Sequence, residues 1–381
     1  MDFSSDSAAV TPRLDAVIDR ALAERRIVGT VVLVARDGDV IYRRAAGLAD
    51  REDGVAMRED AIFRLASITK PYVTAVIMRL VEDRRLALDD AVTRFLPDFR
   101  PRLSDGSEPT ITLAHLLTHT SGLSYRFLEQ PGSAYHTLDV SDGLDQPGLS
   151  LADNLRRLAA TRLRFAPGTR WTYSLAIDVL GAVIEQVMQC TLAEAVHTLI
   201  TTPLGMTDTA FHVVDRSRLV TPYADGKPQP ERMTDGIAVP ILGGALRFAP
   251  SRVFDATSYP SGGGGMAGTA RDTLRFMEAI RNGGAPILKA ATVADMMRDH
   301  ARATVYLLGP GWGFGYGWAV LTDAQKSGTP QSNGTIMWGG AYGHSWFIDP
   351  ANRLTVIALT NTTFEGMSGA YPGEIRDAVY G

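Results

Sequence analysis

A single cysteine, Cys190, in 381 residues excludes an internal disulfide, and no Cys/His grouping has the spacing of a structural zinc site. Redox and structural-zinc chemistry are excluded with it. Lysine is nearly as scarce, with four lysines among 38 basic residues, and the formal net charge is -4 with no basic block. Nucleic acid and anionic membrane are therefore not the expected partners; a small molecule is. No run of about 18 apolar residues occurs. Met1 to Asp6 shows no basic segment leading into an apolar core, so a cytoplasmic location with no membrane attachment is expected. The Gly-x-Ser-x-Gly elbow of lipases is also missing. Its nearest misses are Gly343-His344-Ser345-Trp346-Phe347 and Gly366-Met367-Ser368-Gly369-Ala370, which argues against a Ser-His-Asp hydrolase. Gly262 to Gly265 precede no Gly-Lys-Ser/Thr, so tight turning near a cleft is expected there, not a phosphate loop.

What is present describes a globular chain, 45% hydrophobic and 21% charged, long enough to bury a large core. Thr11-Pro12 reads as the cap and first residue of a helix whose apolar face is Leu14, Val17, Ile18, Ala21 and Leu22. Two strand-like runs follow, Thr30 to Ala35 and Val40 to Ala45, joined by Asp37-Gly38, a strong hairpin signal. Near the other end, Gly317 to Leu321, Thr335 to Ile348 and Leu354 to Thr360 read as strands before a short final helix. Most of the sequence between is helical. The expected class is α+β: one antiparallel sheet built from both chain ends and flanked by helices, plus a mostly helical region. The 381 residues then form one unit, with an α/β region at about 1–65 and 266–381 and a helical, loop-rich region at about 66–265. The long, weakly periodic stretches Ser124 to Ser150 and His212 to Gly265 either cover a site or merely elaborate the surface.

Ser67-Ile68-Thr69-Lys70 sets a hydroxyl and an amine three residues apart, hence on one face of a helix. Val73, Val76, Ile77, Leu80 and Val81 continue at helical spacing, which puts Ser67 at the amino end of a buried helix. Pro71 suits the first turn, where its missing amide hydrogen has no partner to lose, and the helix dipole favours a Ser67 alkoxide. Lys70 could take or hold the serine proton, provided burial against the apolar face desolvates it. His115 and His119 lie at i and i+4 but have no Glu between them, so a structural pair is expected and no metal. Tyr125, Trp171, Trp312 and Trp346 could line an acyl pocket or fill core, and core is expected for at least half.

Several boxes in one order resemble the class C-like branch of the serine beta-lactamase and penicillin-binding-protein superfamily. Phe63 to Lys70 matches its S-x-x-K box, His115 to Leu123 its HLLTHTSGL signature, and Phe165-Ala166-Pro167-Gly168 precedes Tyr173-Ser174 as in that family. Pro203-Leu204-Gly205-Met206 also fits. Two departures carry the specificity. Tyr173-Ser174-Leu175 stands where relatives have Tyr-x-Asn, and Trp338-Gly339-Gly340 where they have Lys-Thr-Gly or His-Thr-Gly. An indole flanked by glycines supplies no charge for the carboxylate of a penicillin or peptide. The run Trp338 to Phe347 resembles the family VIII carboxylesterases, active on short acyl esters and cephalosporin side-chain acetates.

The resemblance implies Ser67 as nucleophile, Lys70 as its hydrogen-bonded partner and Tyr173 as general base or proton shuttle. It also implies an oxyanion hole from the backbone amides of Ser67 and Ala341, and substrate contacts from Tyr125, Leu175, Trp338, Gly339 and Gly340. No cofactor is implied. A phenol is a poor base in water, and neighbouring cations would favour phenolate; whether Lys70 or Tyr173 takes the first proton stays open. The expected function is a serine esterase forming an acyl-enzyme on small, short-chain carboxylic esters. The rivals are a beta-lactamase or peptidase, an acyltransferase that passes the acyl group to an alcohol, and a catalytically silent acyl-binding module.

Overall fold

The computed structural model describes residues 3–303 and 305–381. Its centre is Gly29–Arg36, a strand whose unbroken apolar run is explained by burial on both faces. Val31, Leu33 and Ala35 point into one hydrophobic core, and Val32 and Val34 into a second on the opposite side. Leu354–Thr360, buried along its whole length, pairs antiparallel with it and divides its side chains the same way. Asp39–Asp50 flanks the other side, and the turn at Asp37 and Gly38 has positive φ at both residues (54° and 92°), as a tight hairpin of that twist requires. The complete sheet is antiparallel and eight-stranded, in the order Trp312–Phe314, Ala319–Leu321, Ile336–Gly340, His344–Asp349, Leu354–Thr360, Gly29–Arg36, Asp39–Asp50, Val55–Ala56. Strands from both termini thus meet in one sheet.

Phe3–Ala23 and Ala370–Tyr380 pack together on one face. On the other, Ala270–Arg281 lies against the central strands, and beyond it Thr69–Glu82, Leu113–Leu117, Ala176–Met188 and Leu192–Val196 pack on one another as a helical unit. Within Ile336–Gly340 the strand Ala319–Leu321 pairs with Ile336 and Met337, and Met337, Trp338 and Gly339 line a cavity between sheet and helices. Among the described residues no single helix is long and apolar enough to cross a membrane.

Three local expectations need correction. The first helix starts at Phe3, so Pro12 lies inside it and not at its first position. The helix tolerates the lost hydrogen bond because Val10, Leu14, Val17, Ile18 and Ala21 are clamped in the second core. Thr335 to Ile348 is two strands, Ile336–Gly340 and His344–Asp349, not one. Gly343 makes the reversal at φ +114°, where a Cβ would stand 2.1 Å from the Thr362 carbonyl oxygen. Finally, the weakly periodic stretch before Gly265 contains a hairpin, Ile237–Ile241 with Gly244–Phe248, turning at Leu242 and Gly243 (φ 51° and 81°).

Candidate active site

Ser67 sits in a short turn, Ala66–Ile68, that runs directly into the helix Thr69–Glu82. Ala66 holds φ +45°, a strained value for a residue with a side chain, immediately before the serine. The helix carries Lys70 under Ser67 as the i, i+3 spacing requires. Lys70 is 1% exposed, and its Nζ donates to Ser67 Oγ at 2.9 Å and to the Gly263 carbonyl at 2.6 Å. The same cation lies over the rings of Tyr173 and Tyr125, 4.7 and 5.4 Å from their centroids. A buried ammonium thus exchanges water for a carbonyl, a hydroxyl and two aromatic faces.

Tyr173 arrives from the extended segment before the helix Ala176–Met188, and its hydroxyl donates to Ser67 Oγ at 2.7 Å. Two groups therefore converge on one serine oxygen from residues 3 and 106 positions away. The Trp338 indole N–H donates in turn to Tyr173 Oη at 3.1 Å. Charge alone could not reveal that role in the sequence; the signal was the single N–H that indole offers. His119 packs edge-on to Tyr173 with centroids 4.9 Å apart, and its Nδ1 meets Ser174 Oγ at 3.1 Å. Burial, aided by the Lys70 charge, holds that imidazole well below the usual histidine range, so the ring stays neutral. His115 is engaged elsewhere, where its Nδ1 accepts from the Thr112 amide in a capping box. Among the described residues no three His, Cys, Asp or Glu side chains gather as a metal site would require.

The second glycine of Trp338-Gly339-Gly340 has a steric cause. A Cβ on Gly340 would lie 2.5 Å from the Leu65 carbonyl oxygen, so the strand end presses backbone to backbone on the serine turn. That approach brings Ala341 to the wall of the cavity that Ser67 opens into. Gly262 to Gly265 behave similarly: Cβ atoms on Gly262 and Gly263 would lie 2.6 Å from the Ile177 carbonyl oxygen and 2.5 Å from Asp178 Oδ2. The tight path delivers the Gly263 carbonyl to Lys70.

The cavity has a volume of about 180 Å³ and includes Ser67, Tyr125, Tyr173, Trp338, Gly339 and Ala341 in its lining. Gly340 is not in the wall, since it faces Leu65. Leu175 is not there either. It is fully buried at the start of the helix Ala176–Met188, where the turn directs it into the core, so the expectation of a substrate contact at Leu175 is corrected. Trp171 and Trp346 are core, with Trp171 stacked near-parallel to Tyr173 at 6.4 Å, whereas Tyr125 faces the cavity. Sequence reasoning missed the apolar walls, Ile241, Leu242 and Leu246 of the hairpin, Leu307 and Leu308 of a loop, and Met337 and Met367. The alternation Ile237, Val239, Ile241 was the available signal, and Pro240 concealed it by demoting the run as a strand. Among the described residues no arginine or lysine lines this cavity. Asp142 does, with its carboxylate oxygens accepting from the Arg126 and Phe127 amides at 2.7 and 3.2 Å. Burial raises this carboxyl to about 8, so near neutral pH it is mostly protonated and the wall mostly uncharged.

An antiparallel sheet with strands from both termini, a helical unit beside it and a serine-lysine-tyrosine cluster between them make up an α+β fold of the beta-lactamase class. The chain belongs to the beta-lactamase family, which matches residues 14–379. It is 56% identical over 382 residues to esterase EstB of Burkholderia gladioli, covering 99% of this chain and 97% of that protein. Among solved structures it is similar to EstCE1, a hydrolase with promiscuous acyltransferase activity, at TM-score 0.95 and 48% identity, covering 98% of this chain and 99% of that one. The LovD6 mutant of simvastatin synthase from Aspergillus terreus, at TM-score 0.77 and 22% identity over 96% of this chain and 93% of that one, shares the fold.

Proposed function

We propose that this chain is a carboxylic ester hydrolase whose Ser67 forms an acyl-enzyme with small, short-chain esters. The observation that carries the reading is the convergence of Lys70 Nζ and Tyr173 Oη on Ser67 Oγ at the wall of an apolar cavity. The relationship to an esterase over nearly the whole chain supports it. In this mechanism the reacting form of the Lys70–Tyr173 pair is one proton short, either phenolate beside ammonium or phenol beside amine, and that vacancy accepts the Ser67 proton as Oγ attacks the ester carbonyl. The amides of Ser67 and Ala341 stabilise the oxyanion, and Tyr173 returns the proton to the departing alkoxide. Water then enters by the same steps and releases the acid. No cofactor takes part, and the partner is the ester itself.

Cavity chemistry sets the specificity. Penicillin rings carry a carboxylate that needs a cation or several donors, and the wall offers no arginine or lysine. One missing charge-assisted hydrogen bond costs about 1.5–3 kcal/mol, roughly a 10- to 150-fold loss. Acetate and butyrate esters of nitrophenol should therefore be hydrolysed well and lactam rings poorly or not at all. A cephalosporin carrying a side-chain acetate should be deacetylated with its ring intact. Mass spectrometry of the product decides this, and ring opening faster than deacetylation, with simple esters ignored, would overturn the reading in favour of a beta-lactamase.

Trp338 gives an independent check. Its N–H stabilises negative charge on Tyr173 Oη, and Trp338→Phe retains an aromatic ring but removes that donor. The kcat on nitrophenyl butyrate should fall by about 10- to 100-fold with KM little changed, the pattern of an interaction strengthened in the transition state. A variant altered only in KM would show that the indole merely shapes the pocket.

A further inference from the structure

Among the described residues no carboxylate hydrogen-bonds the buried lysine of the site. The acceptors of Lys70 Nζ are Ser67 Oγ and the Gly263 carbonyl, both neutral. A buried ammonium that meets only neutral groups is costly, and a negative charge close behind them lowers the cost. The acid placed to supply it is Asp178.

Asp178 lies in the first turn of the helix Ala176–Met188, five residues after Tyr173. An acid there ordinarily answers the helix dipole from the surface, but this one is 1% exposed. Its Oδ1 accepts from Ser261 Oγ at 2.7 Å. Its Oδ2 has no hydrogen bond of normal geometry and faces the main chain of Gly263, where a Cβ would stand 2.5 Å from it. Gly263 therefore has Asp178 against its Cα and Lys70 on its carbonyl. Ser261 is also the residue on which the glycine turn closes, because the Gly264 and Gly265 amides donate to its carbonyl at 3.1 and 2.8 Å.

Burial raises the Asp178 carboxyl above its ordinary range, and the Ser261 hydrogen bond and the Lys70 charge oppose that rise. Arg252 acts on it less than Lys70 does, and its guanidinium is turned to the Gly143 and Tyr259 carbonyls at 3.1 and 2.7 Å. Burial holds the Tyr125 and Tyr259 phenols protonated, with Asp178 adding to both, and keeps the His119 imidazole neutral, with Lys70 adding to it. Asp142 and Asp145 act on Tyr125 and Tyr259 respectively. Lys70 and Asp178 are then the opposite charges that flank Gly263.

We propose that Asp178 is the positioning residue of the catalytic lysine: with Ser261 it fixes the turn that presents the Gly263 carbonyl to Lys70, and its carboxylate balances the buried ammonium. Its role rests on the reading of Lys70 and Tyr173 as the unit that takes the Ser67 proton. A negative charge behind that unit resists loss of a proton from it, so the carboxylate sets the pH above which the reacting form is populated.

Asp178→Asn removes the charge and keeps an oxygen for Ser261. In that variant the acid limb of the kcat/KM profile for nitrophenyl butyrate should move to lower pH by about one pH unit. The plateau kcat should fall about 3- to 30-fold with KM little changed. An unmoved limb would overturn the proposal, because a residue that merely supports the fold leaves it in place. Thermal unfolding of the same substitution in two backgrounds gives a check that does not need an active variant. In the parent protein Asp178→Asn should lower the melting temperature; in Lys70→Ala, where the carboxylate faces no ammonium, it should raise it. Equal losses in both backgrounds would overturn the proposal as well. Full activity in Lys70→Ala would strike the catalytic reading itself, whereas the thermal cycle needs no ester hydrolysis and reads the charge pair directly, so the two failures are distinguishable.

Discussion

Ser67→Ala should reduce ester hydrolysis by a factor on the order of 10⁴ to 10⁶, the scale seen when the nucleophile of a catalytic unit is removed. The melting temperature should change little, because the side chain lost is one hydroxyl at a cavity wall and no large void is opened. Lys70 keeps the Gly263 carbonyl and Tyr173 keeps the Trp338 N–H, so the surrounding residues retain part of their bonding after the hydroxyl is gone. The competing serine is Ser368, which lines the same cavity. Ser121 is fully buried, and Ser345 borders a different cavity beside the helix Ala370–Tyr380. An organophosphate or phosphonate should therefore label Ser67. Peptide mapping that places the adduct on Ser368, or near-full activity in the folded Ser67→Ala protein, would refute the assignment.

The residues differ in how readily the sequence discloses them. Ser67 and Lys70 lie one helical turn apart, so the interaction that joins them is local and spacing alone puts them on one face. The Asp37-Gly38 hairpin is legible for the same reason. Tyr173 reaches Ser67 from 106 residues away, a contact set by how two segments pack, which no local pattern encodes; only the resemblance pointed to it. Resemblance also has a limit. It fixes a position along the chain but not the direction of a side chain, and Leu175 shows the difference, since the turn into its helix sends it to the core. The apolar walls from Ile241, Leu242, Leu307 and Leu308 were illegible because each lies on a short hairpin or a loop. Leu242 is 61% exposed at the tip of its hairpin, and nothing in the chain's periodicity distinguishes such a leucine from an ordinary surface residue.

The proton-transfer unit makes the sharpest quantitative demand. Lys70→Ala and Tyr173→Phe should each lower kcat by a factor on the order of 10² to 10⁴, with smaller changes in KM, because both groups act on the serine proton and not on the bound acyl chain. Both hydrogen-bond the same atom, Ser67 Oγ, and the Lys70 ammonium also lies over the Tyr173 ring. Removing either partner therefore disables the route that the other one serves. The double variant should be scarcely worse than the poorer single variant, far short of the product of the two losses. Lys70→Ala also deprives the Gly263 carbonyl of its buried donor, so its melting temperature should fall, whereas Tyr173→Phe keeps the ring against His119 and Trp338 and should stay close to the parent. Measuring kcat, KM and thermal unfolding for the four proteins of this cycle separates chemistry from folding. Losses that multiply fully in well-folded variants would show that the two residues act independently, and the shared proton path would have to be abandoned.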